Sequence, residues 1–134
     1  MKILALDHVT INCPDIAAAK RFYEEVLGLS CLPAVDLGDH VLHYYPLAGG
    51  VRLELIAYKN PQKTIVAGNT DTGVYRHMAL RVDDLAGLYA AFQAKGVPIN
   101  LPPTWISQLK ATVMLAADPS GVELEFIQDT AGEG

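Results

Sequence analysis

Two histidines and two glutamates stand at matched places in the two halves of this 134-residue chain. His8 sits in Asp7-His8-Val9-Thr10-Ile11, and His77, 69 positions on, sits in Arg76-His77-Met78-Ala79-Leu80. Glu54 lies in Gly50-Val51-Arg52-Leu53-Glu54-Leu55-Ile56, and Glu125, 71 positions on, lies in Gly121-Val122-Glu123-Leu124-Glu125-Phe126-Ile127. A carboxylate inside so apolar a strand is expensive to bury without a partner, because desolvating an ion costs more than most single contacts return. Two carboxylates at matching places in two matching strands, each following a histidine at a fixed interval, form one device built twice. Two imidazoles and two carboxylates converging on one point make a metal site. A single strand histidine is more often a satisfied core residue; the duplication is what favours ligation here.

The elements that must position these residues follow from periodicity. Residues 3–13 alternate as a strand, with Leu6, His8, Thr10 and Asn12 on one face and Val9, Ile11 and Cys13 on the other. Pro14-Asp15 ends it and caps a helix over 15–27, whose stripe is Ile16, Ala19, Phe22, Tyr23, Val26 and Leu27 and whose stop is Gly28. Three strand-like segments follow, at 29–37, 40–47 and 50–58, separated by glycine-bearing turns that make them antiparallel. A polar connector, 59–74, carries a short helical turn around 64–67.

The pattern then restarts. A strand over 75–83 is followed by a helix over 84–95 that Gly96 ends, and by a short strand over 97–101 that Pro102-Pro103 breaks. Residues 105–110 read as a loop, 112–117 and 122–128 as strands joined by Asp118-Pro119-Ser120-Gly121, and 129–134 as a frayed polar tail. Each half is a small sheet with one helix on one face and a bare face bearing His8 and Glu54, or His77 and Glu125. Two such βαβββ modules, 3–58 and 75–128, set edge to edge give an α+β fold, an open, mostly antiparallel half-barrel with the four polar residues turned inward. One compact domain over 1–134 suits the length.

Composition narrows the partners. The chain is 51% hydrophobic, and its net charge of −5 with only 10 Lys plus Arg argues against nucleic acid and anionic membranes. The apolar run at 3–6 is too short for a signal peptide or a membrane span. Cys13 and Cys31 lack CxxC spacing and read as reduced thiols, so a cytoplasmic location is expected.

The first histidine strand with its helix, Arg76-His77-Met78-Ala79-Leu80-Arg81-Val82-Asp83-Asp84-Leu85, and Asp118-Pro119-Ser120-Gly121 leading to Glu125 together resemble the vicinal-oxygen-chelate superfamily over roughly residues 4–128. That group includes glyoxalase I, methylmalonyl-CoA epimerase, extradiol dioxygenases and bleomycin- or fosfomycin-resistance proteins. The resemblance implies paired βαβββ modules around one divalent ion (Ni, Co, Mn, Fe or Zn), with ligands at His8, Glu54, His77 and Glu125. Glu123 shares the Glu125 face but does not match the motif position, and is left out.

Four protein ligands resemble glyoxalase I and the epimerase more than the dioxygenases, whose two histidines and one carboxylate leave three positions for catechol and dioxygen. The implied chemistry is a lyase or isomerase of the glyoxalase I type. A small substrate chelates the metal by two oxygens, and Glu125 or Glu54 moves a proton next to a carbonyl through a metal-stabilised enediolate. An extradiol-type dioxygenase or a metal-free antibiotic-binding module is the alternative. Members of the group are mostly dimers, so a homodimer is expected. His40 and His43 read as surface or supporting residues, Tyr44, Tyr45 and Tyr58 as barrel fillers, and Arg81, Trp105 and Lys110 as candidate substrate contacts.

Overall fold

A computed structural model describes residues 1–129 of the chain. The contacts divide it into two units, 1–64 and 65–134. In the first unit, β1 (His8–Asn12) leads through α1 (Ile16–Arg21) and a π-helical turn (Phe22–Val26) to β2 (Val35–Asp36), β3 (His40–Pro46) and β4 (Arg52–Tyr58). The sheet order is β1-β4-β3-β2, with β1 parallel to β4 and the other pairs antiparallel. In the second, β5 (Met78–Arg81), α2 (Leu85–Lys95), β6 (Ile99–Ile106), β7 (Ala111–Ala117) and β8 (Glu123–Asp129) give the order β5-β8-β7-β6. The parallel pair is again first with last. The protein is thus α+β, a βαβββ module written twice, each sheet open with two edges.

The helix-side face of each sheet is its core. Leu53, Leu55, Tyr45 and Tyr23 are buried in the first unit, and Phe92, Met114, Leu124 and Phe126 in the second. Phe92 packs edge-on against Phe126 with ring centroids 5.3 Å apart. The helices start alike: Asp15 Oδ1 accepts from Ala18 N and Asp84 Oδ1 from Gly87 N. They end differently. From cap to closing glycine is 13 positions in the first copy (Asp15 to Gly28) and 12 in the second (Asp84 to Gly96). The additional residue is absorbed by the π-helical turn, so the expected regular helix over 15–27 is an α-helix only to Arg21.

Other expectations shift for physical reasons. Strand β1 begins at His8 rather than at residue 3, because its ladder partner β4 begins at Arg52, and a strand extends only as far as its neighbour. The strand expected over 29–37 shrinks to Val35–Asp36 after Pro33, and no helical turn forms at 64–67. The strand expected over 75–83 is Met78–Arg81. Strand β6 runs straight through Pro102-Pro103 and takes in Trp105, where a break and a loop were expected. An edge strand tolerates proline, whose missing N–H is accommodated by register shifts between Ile99 and Thr104. Asp129 closes β8 instead of starting a frayed tail; the rest of that expected tail, 130–134, lies outside the described residues.

Truncating Phe126 to Ala should cost about 3–5 kcal/mol of unfolding free energy, as for other fully buried aromatics. Urea denaturation of the variant checks it, and a loss below about 1 kcal/mol would contradict this packing.

Candidate metal half-sites

In the first unit, Thr10, Glu54 and Tyr44 form one row across β1, β4 and β3 on the face away from the helix. Glu54 is 5% exposed. Its Oε1 accepts from Thr10 Oγ1 at 2.8 Å, and the Tyr44 hydroxyl also donates to the carboxylate. Burial alone would push this carboxyl up; the Tyr44 and Thr10 hydroxyls, with His8 and Arg52 nearby, more than offset it and hold Glu54 below the usual carboxylate range. His8 stands one step along the same face, its Nε2 4.0 Å from Glu54 Oε1. Its Nδ1 meets Asp7 Oδ2 at 2.7 Å, and Asp7 is held in turn by Arg52 Nη2 at 2.6 Å. The His8 contact and the Arg52 guanidinium lower the Asp7 carboxyl. Arg52 also lies over the Tyr44 ring, 4.3 Å from its centroid.

The second unit repeats the frame with different neighbours. Ala79, Glu125 and Leu115 occupy the row that Thr10, Glu54 and Tyr44 occupy in the first. Neither apolar neighbour can donate to Glu125, whose side chain is 18% exposed. His77 Nε2 lies 3.8 Å from Glu125 Oε2. His77 precedes β5, and its backbone is pinned by Tyr75, whose hydroxyl accepts from Met78 N and donates to the carbonyl of Glu123 on β8. Burial raises the Tyr75 hydroxyl, keeping it protonated as that donor. Glu123 pairs with Arg76 and accepts from Asn100 Nδ2 at 2.9 Å. Its strand is launched by the Asp118 turn, where buried Asp118 Oδ1 accepts from Ser120 N and Val122 N.

Each unit therefore brings one of the two expected His–Glu pairs together on its open face. The 3.8 and 4.0 Å separations are too long for a hydrogen bond and slightly wider than the roughly 3.0–3.4 Å between adjacent donors on an ion with about 2.1 Å bonds. A first-row divalent cation suits this donor set, one imidazole and one carboxylate per unit. Among the described residues no group of three or more His, Cys, Asp and Glu side chains is placed to hold a metal ion. Each pair alone supplies one imidazole and one carboxylate.

Other candidates sort differently. Tyr44 is a partner of Glu54 rather than a filler, and Tyr45 is buried on the helix side. His40 stacks on Tyr58 with centroids 4.7 Å apart, and His43 lies on the helix side, where burial lowers its imidazole. Arg81 pairs with Asp129. Neither Cys13 nor Cys31 forms a disulfide. A groove of about 420 Å³ lined by Leu85, Tyr89, Pro102 and Thr112 holds none of the four His and Glu residues.

Comparison with known proteins agrees with the fold. Residues 5–126 match the model of the Glyoxalase/Bleomycin resistance protein/Dioxygenase superfamily, and the chain belongs to that superfamily. No curated protein matches it. Among solved structures it resembles a glyoxylase/bleomycin resistance protein/dioxygenase domain from Frankia sp. EAN1pec, with 19% identity over 96% of this chain and 99% of that one and a TM-score of 0.78. It also resembles the trypanothione-dependent glyoxalase I of Leishmania major, with 22% identity, 98% and 91% coverage and a TM-score of 0.74. TnmS3, an antibiotic binding protein from Streptomyces sp. CB03234, is similar at 20% identity, 96% and 98% coverage and a TM-score of 0.72. At such identities the likeness is one of fold. Among the described residues no helix is long and apolar enough to cross a membrane.

The Glu54 environment gives a pH prediction. Its folded pKa lies below the unfolded one, so its stabilisation is present above the ordinary carboxylate range and is lost as pH falls through the folded value. Thr10→Val with Tyr44→Phe removes both hydroxyls and leaves burial dominant. Glu54 should then titrate at higher pH, and the acid limb of the stability curve should move up with it. Carboxyl carbon NMR titration checks this, and an unchanged Glu54 midpoint would contradict it.

Proposed function

We propose that His8 and Glu54 of the first unit and His77 and Glu125 of the second, supplied by one chain or by two, hold one divalent ion (Ni, Co, Mn, Fe or Zn). On this reading the protein is a glyoxalase I-like lyase or isomerase. The observation that carries the proposal is the repetition. Each unit sets one imidazole nitrogen and one carboxylate oxygen 3.8–4.0 Å apart on the same kind of sheet face, with no hydrogen bond between them. A bound divalent cation would supply Lewis acidity to two vicinal oxygens of a small carbonyl substrate.

The chain's own residues divide the remaining work. Glu54 is fixed by Thr10 and Tyr44 and kept ionised, which suits a permanent ligand. Glu125 has Ala79 and Leu115 beside it, so no neighbouring hydroxyl ties its carboxylate down. That freedom suits a base that takes the proton from the carbon next to the carbonyl and returns it to the adjacent carbon of a hemithioacetal, or to the opposite face of the same carbon of a malonyl thioester. His8 and His77 would present Nε2 to the ion. The substrate would be a hemithioacetal of a 2-oxoaldehyde or a 2-substituted malonyl thioester, both able to chelate through two oxygens. A homodimer in the cytoplasm is the assembly and location proposed, in keeping with two cysteines that form no disulfide.

Titration calorimetry with nickel should give one tight site per set of four residues, and His8→Ala, Glu54→Ala, His77→Ala and Glu125→Ala should each weaken it by more than about tenfold. Binding untouched by all four would contradict the ligand set.

Glu125→Gln in the metal-loaded protein should cut solvent-deuterium incorporation into such substrates by roughly 10²–10⁴-fold, the usual worth of a positioned base. Glu54→Gln should act chiefly through metal loss. Oxygen uptake with a catechol on the iron-loaded protein would favour a dioxygenase, and metal-independent binding of an antibiotic without turnover would favour a binding module.

A further inference from the structure

The Nδ1 atom of His77 is buried and has no hydrogen-bond partner. A buried imidazole nitrogen left unpaired is costly, and the group that can relieve it is close: Glu123 Oε1 lies 3.6 Å away. The first unit displays the same contact closed, with His8 Nδ1 on Asp7 Oδ2 at 2.7 Å. The two arrangements are charge-swapped copies. In the first, the carboxylate precedes the histidine and its arginine, Arg52, comes from the last strand of the module. In the second, Arg76 precedes the histidine and the carboxylate, Glu123, comes from the last strand. Positions 52 and 123 are 71 apart, like Glu54 and Glu125, and positions 7 and 76 are 69 apart, like the two histidines. The acid and the base have exchanged strands while the trio of imidazole, carboxylate and guanidinium is kept.

From this we infer that Glu123 is a positioning residue. It accepts the Nδ1–H of His77, fixing the tautomer whose Nε2 lone pair faces Glu125, while Arg76 and Asn100 hold the carboxylate in place. A carboxylate has lone-pair capacity for all three donors. Residues that orient a ligand histidine in this way typically carry about 10–100-fold of metal affinity. The inference rests on the reading of His77 as a metal ligand for its consequence, but not for the placement of the proton.

The test is made first without metal. Long-range proton–nitrogen NMR spectra of the metal-free, nitrogen-labelled chain, recorded at a pH where its histidines are neutral, report which ring nitrogen carries the proton. The inference expects His77 as the Nδ1–H form in the parent, a shift toward the Nε2–H form in Glu123→Leu, retention of Nδ1–H in Glu123→Gln, whose carbonyl still accepts, and retention in Arg76→Ala. Nickel affinity should fall about 10–100-fold in Glu123→Leu and less in Glu123→Gln. A parent His77 in the Nε2–H form overturns the inference without any variant having to fold. A tautomer indifferent to Glu123→Leu also overturns it and leaves the metal reading standing. The expected tautomer response in a protein that binds no divalent ion supports the proton placement and overturns the metal reading instead.

Discussion

The buried carboxylate of Glu54 sets the terms for the first unit. An ionised group this far from solvent persists only where donors replace the water it has lost. Here the replacements come from the two strands flanking β4, Thr10 on one side and Tyr44 on the other. That requirement fixes the register of three strands at once. A one-residue slip of β1 or β3 would turn the hydroxyl to the helix side and leave the charge unpaired. The same register brings His8 onto the open face beside Glu54, with Arg52 between Asp7 and the Tyr44 ring.

The duplicated unit keeps the geometry and changes the chemistry around it. Glu125 has the same place in its sheet, but its row partners are Ala79 and Leu115. It is more exposed than Glu54, which lowers the desolvation it must overcome. Matching strand positions thus give one carboxylate hydroxyl-bearing row partners and the other apolar ones. On the proposed reading, an enzyme that must keep its ion while shuttling a proton would use that division of roles. The charge-swapped Asp7–Arg52 and Arg76–Glu123 pairs follow the same pattern: the ion pair is retained, with its acid and base exchanged.

Much of this was legible in the residues themselves. The repeat offsets of 69 and 71 located both modules and both His–Glu pairs, since strand alternation and duplicated motifs survive without knowledge of register. The supporting residues were not legible, because they depend on which strands are neighbours. Thr10 and Tyr44 are 44 and 10 positions from Glu54, and only the order β1-β4-β3 makes them its partners. Glu123 was set aside because it misses the motif position, yet its match with Arg52 across the repeat could have linked it to a histidine. The π-helical turn was visible only as one residue too many between Asp15 and Gly28, which helical periodicity absorbs without protest. Strand β6 was misread at Pro102-Pro103, since edge position, which excuses proline, is a property of the sheet and not of the segment.

The central claim is that the two half-sites, each incomplete, meet on one ion. X-ray absorption at the nickel edge of the loaded protein tests it most directly, because imidazole rings give a distinctive outer-shell scattering that can be counted. The account predicts about six nitrogen and oxygen neighbours near 2.0–2.2 Å, two of them imidazoles, with no sulfur, and one imidazole fewer in either His8→Ala or His77→Ala. A single imidazole in the parent, or a sulfur neighbour from Cys13 or Cys31, would contradict it.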